Sequence, residues 1–81
     1  MKIKQNKKQK PVYGVVNTKS LYVREGVGKE YNPLRSVPVI TENEEVEILD
    51  TIKGTDDTDW YHIKMKDDIY GYVKAEYIIK K

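Results

Sequence analysis

The apolar residues of this 81-residue chain fall into short clusters bounded by turn-forming residues. The clusters are rich in Val, Ile and Tyr and often alternate with polar residues, as is typical of strands. No segment of ten or more residues repeats apolar side chains at helical spacing. The pattern predicts an all-β domain. The clusters are Val12–Val16, Leu21–Arg24, Val39–Ile40, Val46–Leu49, Trp60–Met65, Ile69–Val73 and Tyr77–Ile79.

The connections between the clusters indicate how the strands are arranged. Glu42–Glu44 separates two short clusters and predicts a hairpin, with Asn43 suited to a positive φ angle. Lys74–Glu76 has the composition of a short helical turn before the last strand. Glu25–Pro38 holds two glycines and two prolines and predicts a long irregular loop, and loops of that length are usually functional. Five short strands with one long early loop predict a small barrel, which closes to avoid exposed edges.

Chain length and composition restrict the function further. A domain of this size has a modest core and little material left for a water-excluding catalytic pocket. The absence of cysteine removes disulfides, cysteine–zinc sites and thiol nucleophiles. No apolar run is long enough to span a membrane, so we expect no membrane insertion. No apolar segment of a signal peptide follows the basic N-terminus. The chain therefore either stays inside the cell or is a piece of a longer exported chain, and we favour the second.

The net charge of +2 hides an uneven distribution. Five lysines and no acidic residue lie in the first ten positions, which leaves ten basic against 13 acidic residues in the rest. We interpret residues 1–11 as a flexible basic tail or linker and residues 12–81 as the domain. Lysines in such a tail could attract an anionic polymer, but an acidic body disfavours nucleic acid as the ligand.

Several segments together resemble one protein family. Leu21–Gly28 resembles the first signature of bacterial SH3 domains, although Tyr22, Glu25 and Val27 replace its usual Asn, Ser and Pro. Asp59–Ile63 is similar to the family's Gly-Trp-Tyr-Lys-Val strand, and Gly71–Ile78 is similar to its closing elements. The resemblance implies an SH3-like five-stranded barrel that binds the peptide part of peptidoglycan and tethers a larger secreted protein to the cell wall. Such a domain needs no cofactor, and we expect it to be monomeric in isolation.

Aromatic residues near the long loop are the first candidates for ligand contact. Alternation places Trp60 on the face of its strand opposite Ile63. From there it either forms an exposed contact surface or folds over the end of the barrel. The SH3 pattern implies that Tyr77 lines a groove beside Trp60. Tyr22 and Tyr31 are further candidates, with half-buried packing as the alternative for each.

Charged residues of the same region complete the candidate set. Arg24 could bind a ligand carboxylate with two hydrogen bonds, or could instead hold its own loop through backbone carbonyls. Glu25 and Glu30, in the same loop, would suit a ligand with free amines, such as a wall peptide or cross-bridge.

Nothing in the sequence predicts catalysis or a metal site. His62 is the single histidine, so neither a histidine cluster nor a Cys–His pair exists. The acidic run Asp56–Asp59 lacks the spacing of an EF-hand and is interpreted as a solvated turn. Together with the resemblance to bacterial SH3 domains, which implies a location at the cell wall or outside the cell, this predicts a non-catalytic binding module. The alternative is a protein–protein interaction or spacer domain of an exported protein with no wall ligand.

Overall fold

A computed structural model describes residues 10–81 of the chain. Most of the predicted tail lies outside this range; Lys10 and Pro11 are exposed and precede the first strand. Seven strands, two more than the five predicted, and two single 3₁₀ turns make up the regular structure of the described residues, which contain no α-helix. The strands are β1 (Val12–Val16), β2 (Ser20–Tyr22), β3 (Val39–Thr41), β4 (Glu45–Lys53), β5 (Asp59–Met65), β6 (Ile69–Lys74) and β7 (Ile78–Lys80). The 3₁₀ turns cover Lys66–Asp68 and Ala75–Tyr77.

The strands form two antiparallel sheets, which confirms the all-β prediction. The larger sheet has the order β6-β5-β4-β1-β7, and β2 pairs with β3 in the smaller one. The helical turn expected before the last strand is present as the second 3₁₀ turn. Among residues 10–81, no helix has the length and apolar character needed to cross a lipid bilayer.

The predicted hairpin between Val39–Ile40 and Val46–Leu49 is wrong. The turn is present, and Asn43 has the expected positive φ of 74°. However, β3 pairs with β2, whereas β4 pairs with β1 and β5. The turn therefore carries the chain from one sheet to the other. Backbone bonds to β1 hold it there, since Asn43 N donates to Val16 O and Val16 N donates to Glu44 O.

Strand β4 is longer than the sequence suggested. The apolar cluster that predicts this strand ends at Leu49, but β4 continues to Lys53 and pairs with the beginning of β5. A break in the register between Ile48 and Asp50 marks a bulge at Leu49, whose side chain is exposed. The extension positions the groove described below, because it holds the first residues of β5 next to a tight turn.

The core lies between the two sheets and is made of aliphatic side chains. Its central residues, Ile63 of β5 and Val73 of β6, are completely buried. Alternation decides which residues enter it: Leu21 and Val23 are buried, and Tyr22 between them is exposed. The buried members of the cluster are Val16, Leu21, Val23, Ile40, Val46, Ile48, Ile63, Val73 and Ile78.

The long loop between β2 and β3 is irregular, as predicted, and folds back on itself. Leu34 N donates to Val23 O at 2.8 Å, and Glu25 N donates to Asn32 O at 2.9 Å. At the base of the loop, the backbone of Arg24 exchanges two hydrogen bonds with that of Tyr72 in β6. This bridge joins the backbone that follows β2 of the small sheet to β6, an edge strand of the large sheet.

Candidate ligand-binding groove

A groove of about 240 Å³ lies where the start of β2, the long loop, β5 and the second 3₁₀ turn meet. Four of the six residues predicted to bind ligand line it: Tyr22, Arg24, Trp60 and Tyr77. The structure thus brings together residues that are up to 55 positions apart in the sequence. The full lining is Thr18, Ser20, Leu21, Tyr22, Arg24, Lys29, Trp60, Lys74 and Tyr77.

Trp60 forms the floor of this groove. It pairs in register with Lys74 and lies outside the aliphatic cluster to which Ile63 belongs, as alternation predicted. Its side chain is only 2% exposed, so of the two arrangements expected for Trp60 the structure has the buried one and not the exposed contact surface. The cause is the turn that precedes β5, because a Cβ atom at Gly54 would overlap the indole. Only a glycine lets this backbone lie directly against the ring.

Asp56 of the same turn fixes the indole and a neighbouring lysine. Its Oδ1 accepts hydrogen bonds from Thr58 Oγ1 at 2.7 Å and from Trp60 Nε1 at 3.1 Å. Its Oδ2 lies 3.3 Å from Lys74 Nζ. The hydrogen bonds from Thr58 and Trp60 stabilise the carboxylate and hold the pKa of Asp56 well below its ordinary value. The acidic run therefore has a structural role that its sequence did not reveal.

Tyr22 and Tyr77 supply the exposed aromatic surface. Tyr22 lies on β2 and is 54% exposed, and Tyr77 ends the second 3₁₀ turn and is 37% exposed. The position of Tyr77 is fixed through its backbone, because its carbonyl accepts a hydrogen bond from Asn17 N at 2.8 Å. Exposed tyrosines on a fixed backbone present large contact areas at a small entropic cost.

Arg24 holds its own loop, which was one of its two predicted roles. Its Nη1 donates to the carbonyl oxygens of Lys29 at 3.2 Å and Tyr31 at 3.0 Å. The guanidinium carbon lies 5.0 Å from the centre of the Tyr22 ring, within the range of a cation–π interaction. Because carbonyl groups are neutral, these contacts leave the positive charge of Arg24 at the groove.

The other two predicted residues are not in the groove lining. The ring of Tyr31 packs on Gly26 within the long loop, where a Cβ atom would lie 2.6 Å from the ring. Glu25 is exposed and enters the loop through its backbone bond to Asn32. Five lining residues were missed as site candidates: Thr18, Ser20, Leu21, Lys29 and Lys74. Leu21 and Lys74 lie in segments that carry the SH3 resemblance, but nothing in the sequence marks any of the five as a groove residue, and only the fold brings them together.

His62 and the carboxylates do not form a metal-binding cluster within residues 10–81. The imidazole of His62 instead stacks on the Tyr72 ring, with 4.7 Å between centroids and 18° between planes. Comparison of the chain with protein-family models, with curated proteins and with solved structures found no match. Inferences about function therefore depend on the groove and on the sequence motifs.

Proposed function

We propose that this chain is a non-catalytic binding module of the bacterial SH3 type that recognises the peptide part of the bacterial cell wall. The observation that carries the proposal is the groove itself. The three aromatic residues at its surface and floor come from three separate segments, and two of them are the positions that the SH3 resemblance assigns to the ligand.

The barrel arrangement of that family is part of the proposal. It is supported by the five-stranded antiparallel sheet, the smaller sheet across the core and the backbone bridge between Arg24 and Tyr72. The long loop and the 3₁₀ turn before the last strand both contribute to the groove, through Lys29 and Tyr77.

The size of the groove favours a short peptide segment over a larger ligand. Pockets that enclose a drug-sized molecule have volumes of about 300–1,000 Å³, and the groove is smaller than that. It matches one or two residues of a stem peptide or cross-bridge. Because Trp60 is already buried, the gain on binding comes mainly from covering Tyr22 and Tyr77. In the cell the module would tether a larger exported protein to the wall.

Binding of the isolated chain to purified peptidoglycan and to soluble muropeptides tests the proposal. We expect the chain to sediment with peptidoglycan and its groove amides to shift in an NMR titration with muropeptides. Replacing Tyr22 or Tyr77 with Ala should weaken binding about tenfold, because truncation of a central interface aromatic typically costs more than 1 kcal/mol. Tyr70→Ala is the matched control, since Tyr70 is 49% exposed and lies outside the groove.

A chain that remains entirely in the supernatant, with no shifts for several muropeptide types, would contradict a wall ligand. Equal loss of binding in Tyr70→Ala and Tyr22→Ala would place the ligand elsewhere on the surface. In the first case the function to test next is the alternative inferred from the sequence, a protein–protein interaction or spacer domain.

A further inference from the structure

The charged residues that line the groove all have the same sign. Arg24, Lys29 and Lys74 contribute to the lining, and no Asp or Glu does. This contrasts with the rest of the domain, in which acidic residues outnumber basic ones. A concave surface with one sign of charge attracts ligands of the opposite sign.

The three cations differ in how far their charge is compensated. Lys74 is paired with Asp56, and its side chain is only 18% exposed. Arg24 is bonded to neutral carbonyls through Nη1, and Lys29 makes no ion pair with any residue of the described range. Arg24 and Lys29 therefore leave two positive charges at the groove that the domain does not neutralise.

The acidic residues of the long loop do not neutralise the positive charges of Arg24 and Lys29. Glu30 accepts a hydrogen bond from Thr55 Oγ1 at 3.0 Å, which directs it toward the turn before β5. Glu25 is exposed and, like Glu30, forms no ion pair with Arg24 or Lys29 in the described part of the chain. The sequence had suggested that Glu25 would attract ligand amines, but the groove has the opposite polarity.

We propose that the groove selects a free carboxylate on its peptide ligand, with Arg24 and Lys29 supplying the charge. The hydroxyl groups of Thr18 and Ser20 are further hydrogen-bond donors in the same lining. Tyr22 and Tyr77 would cover the adjacent part of the peptide. This inference rests on the proposed function and makes it more specific, since it names the chemical group that is recognised.

A matched pair of muropeptides tests the carboxylate. One carries its free stem carboxylates, and in the other these are amidated. We expect the amidated form to bind at least tenfold more weakly at low salt, and the difference to shrink as ionic strength rises, because the cations are partly exposed to solvent. Lys29→Gln should reduce the preference for the free acid to about threefold or less.

Two controls make the result specific. Lys53→Gln removes an exposed lysine of β4 that lies outside the groove, and it should keep the full preference for the free acid. Unchanged melting temperatures of both variants, measured by circular dichroism, would show that the fold is intact.

The possible failures are distinguishable. Equal binding of the acid and the amide would overturn the carboxylate inference while the wall-binding function stands. Binding of neither muropeptide would overturn both. If polyglycerol phosphate displaced the acid at similar concentration, the groove would recognise anionic phosphate polymers, and selectivity for a peptide carboxylate would be refuted.

Discussion

Asp56 connects the shape of the groove to the ionisation of one carboxylate. Its hydrogen bonds from Thr58 and Trp60 exist in the folded chain only, and they hold its pKa below the ordinary value of 3.8. A group whose pKa is depressed by folding stabilises the folded state at pH values above the unfolded pKa. That contribution disappears as the pH falls through the folded pKa.

We therefore expect Asp56→Asn to be less stable than the parent chain near pH 6, and the difference to shrink as the pH falls below about 4. Urea unfolding followed by Trp60 fluorescence at several pH values measures this. Asp57→Asn is the matched control, because Asp57 makes no side-chain hydrogen bond or ion pair in the described range. A difference for Asp56→Asn that does not change with pH would contradict the role assigned to its carboxylate.

At the scale of single residues, the alternation of side chains along a strand predicted the face on which a residue lies, but not how exposed that residue is. Alternation puts Leu21 and Val23 on one face of their strand and Tyr22 on the other, because side-chain direction in a strand depends on local geometry. The structure buries the first two and exposes Tyr22. The burial of Trp60 could not be predicted in this way. It depends on the turn around Gly54 folding over the indole, and this contact is a result of the whole fold.

At the scale of elements, the turn between β3 and β4 has a backbone requirement at one position. Asn43 has φ of 74°, a region in which side chains other than Asn, Asp and Gly are strained. We expect Asn43→Ala to lower the free energy of unfolding by about 1–2 kcal/mol, measured by urea denaturation. Asn43→Gly should remain close to the parent chain, and a loss as large as that of Ala would show that the side chain itself is required.

The same turn shows where prediction of elements from sequence fails. Two short apolar clusters with a turn between them indicate a hairpin when only local order is considered. In the structure, β3 pairs with β2, and Leu21 of β2 lies opposite Ile40 of β3, although the long loop separates the two strands in the sequence. A long-range partner of this kind leaves no local signal. The strands themselves, the long loop and the 3₁₀ turn were predictable because propensity and turn chemistry act locally. Membership of the bacterial SH3 family stays a prediction.

At the scale of the whole molecule, stability depends on a small core. Domains of about 80 residues have a free energy of unfolding of roughly 4–12 kcal/mol. A substitution that leaves one cavity in the core therefore removes a large part of that free energy. We expect Ile63→Ala, at a completely buried position of β5, to cost about 2–5 kcal/mol. Leu49→Ala at the bulge of β4, where the side chain is 38% exposed, should cost less than about 1.5 kcal/mol.

Urea denaturation of the two variants checks this prediction. Similar losses for Ile63→Ala and Leu49→Ala would mean that stability is not concentrated in the core between the sheets. Because Ile63 lies three residues after Trp60 on the same strand, the fluorescence of Trp60 in the folded variant would report whether the groove floor moves when the core is weakened.

The pairing of β1 with β7 also has a mechanical consequence. The strands are antiparallel, with Gly14 opposite Lys80 and Lys81 N bonded to Tyr13 O. Residues 12 and 81 therefore lie at the same end of the pair, and Tyr77 lies beyond its other end. A force that pulls these two residues apart would load the hydrogen bonds between β1 and β7 one after another. The domain should consequently peel open at low force when it is stretched between its two ends.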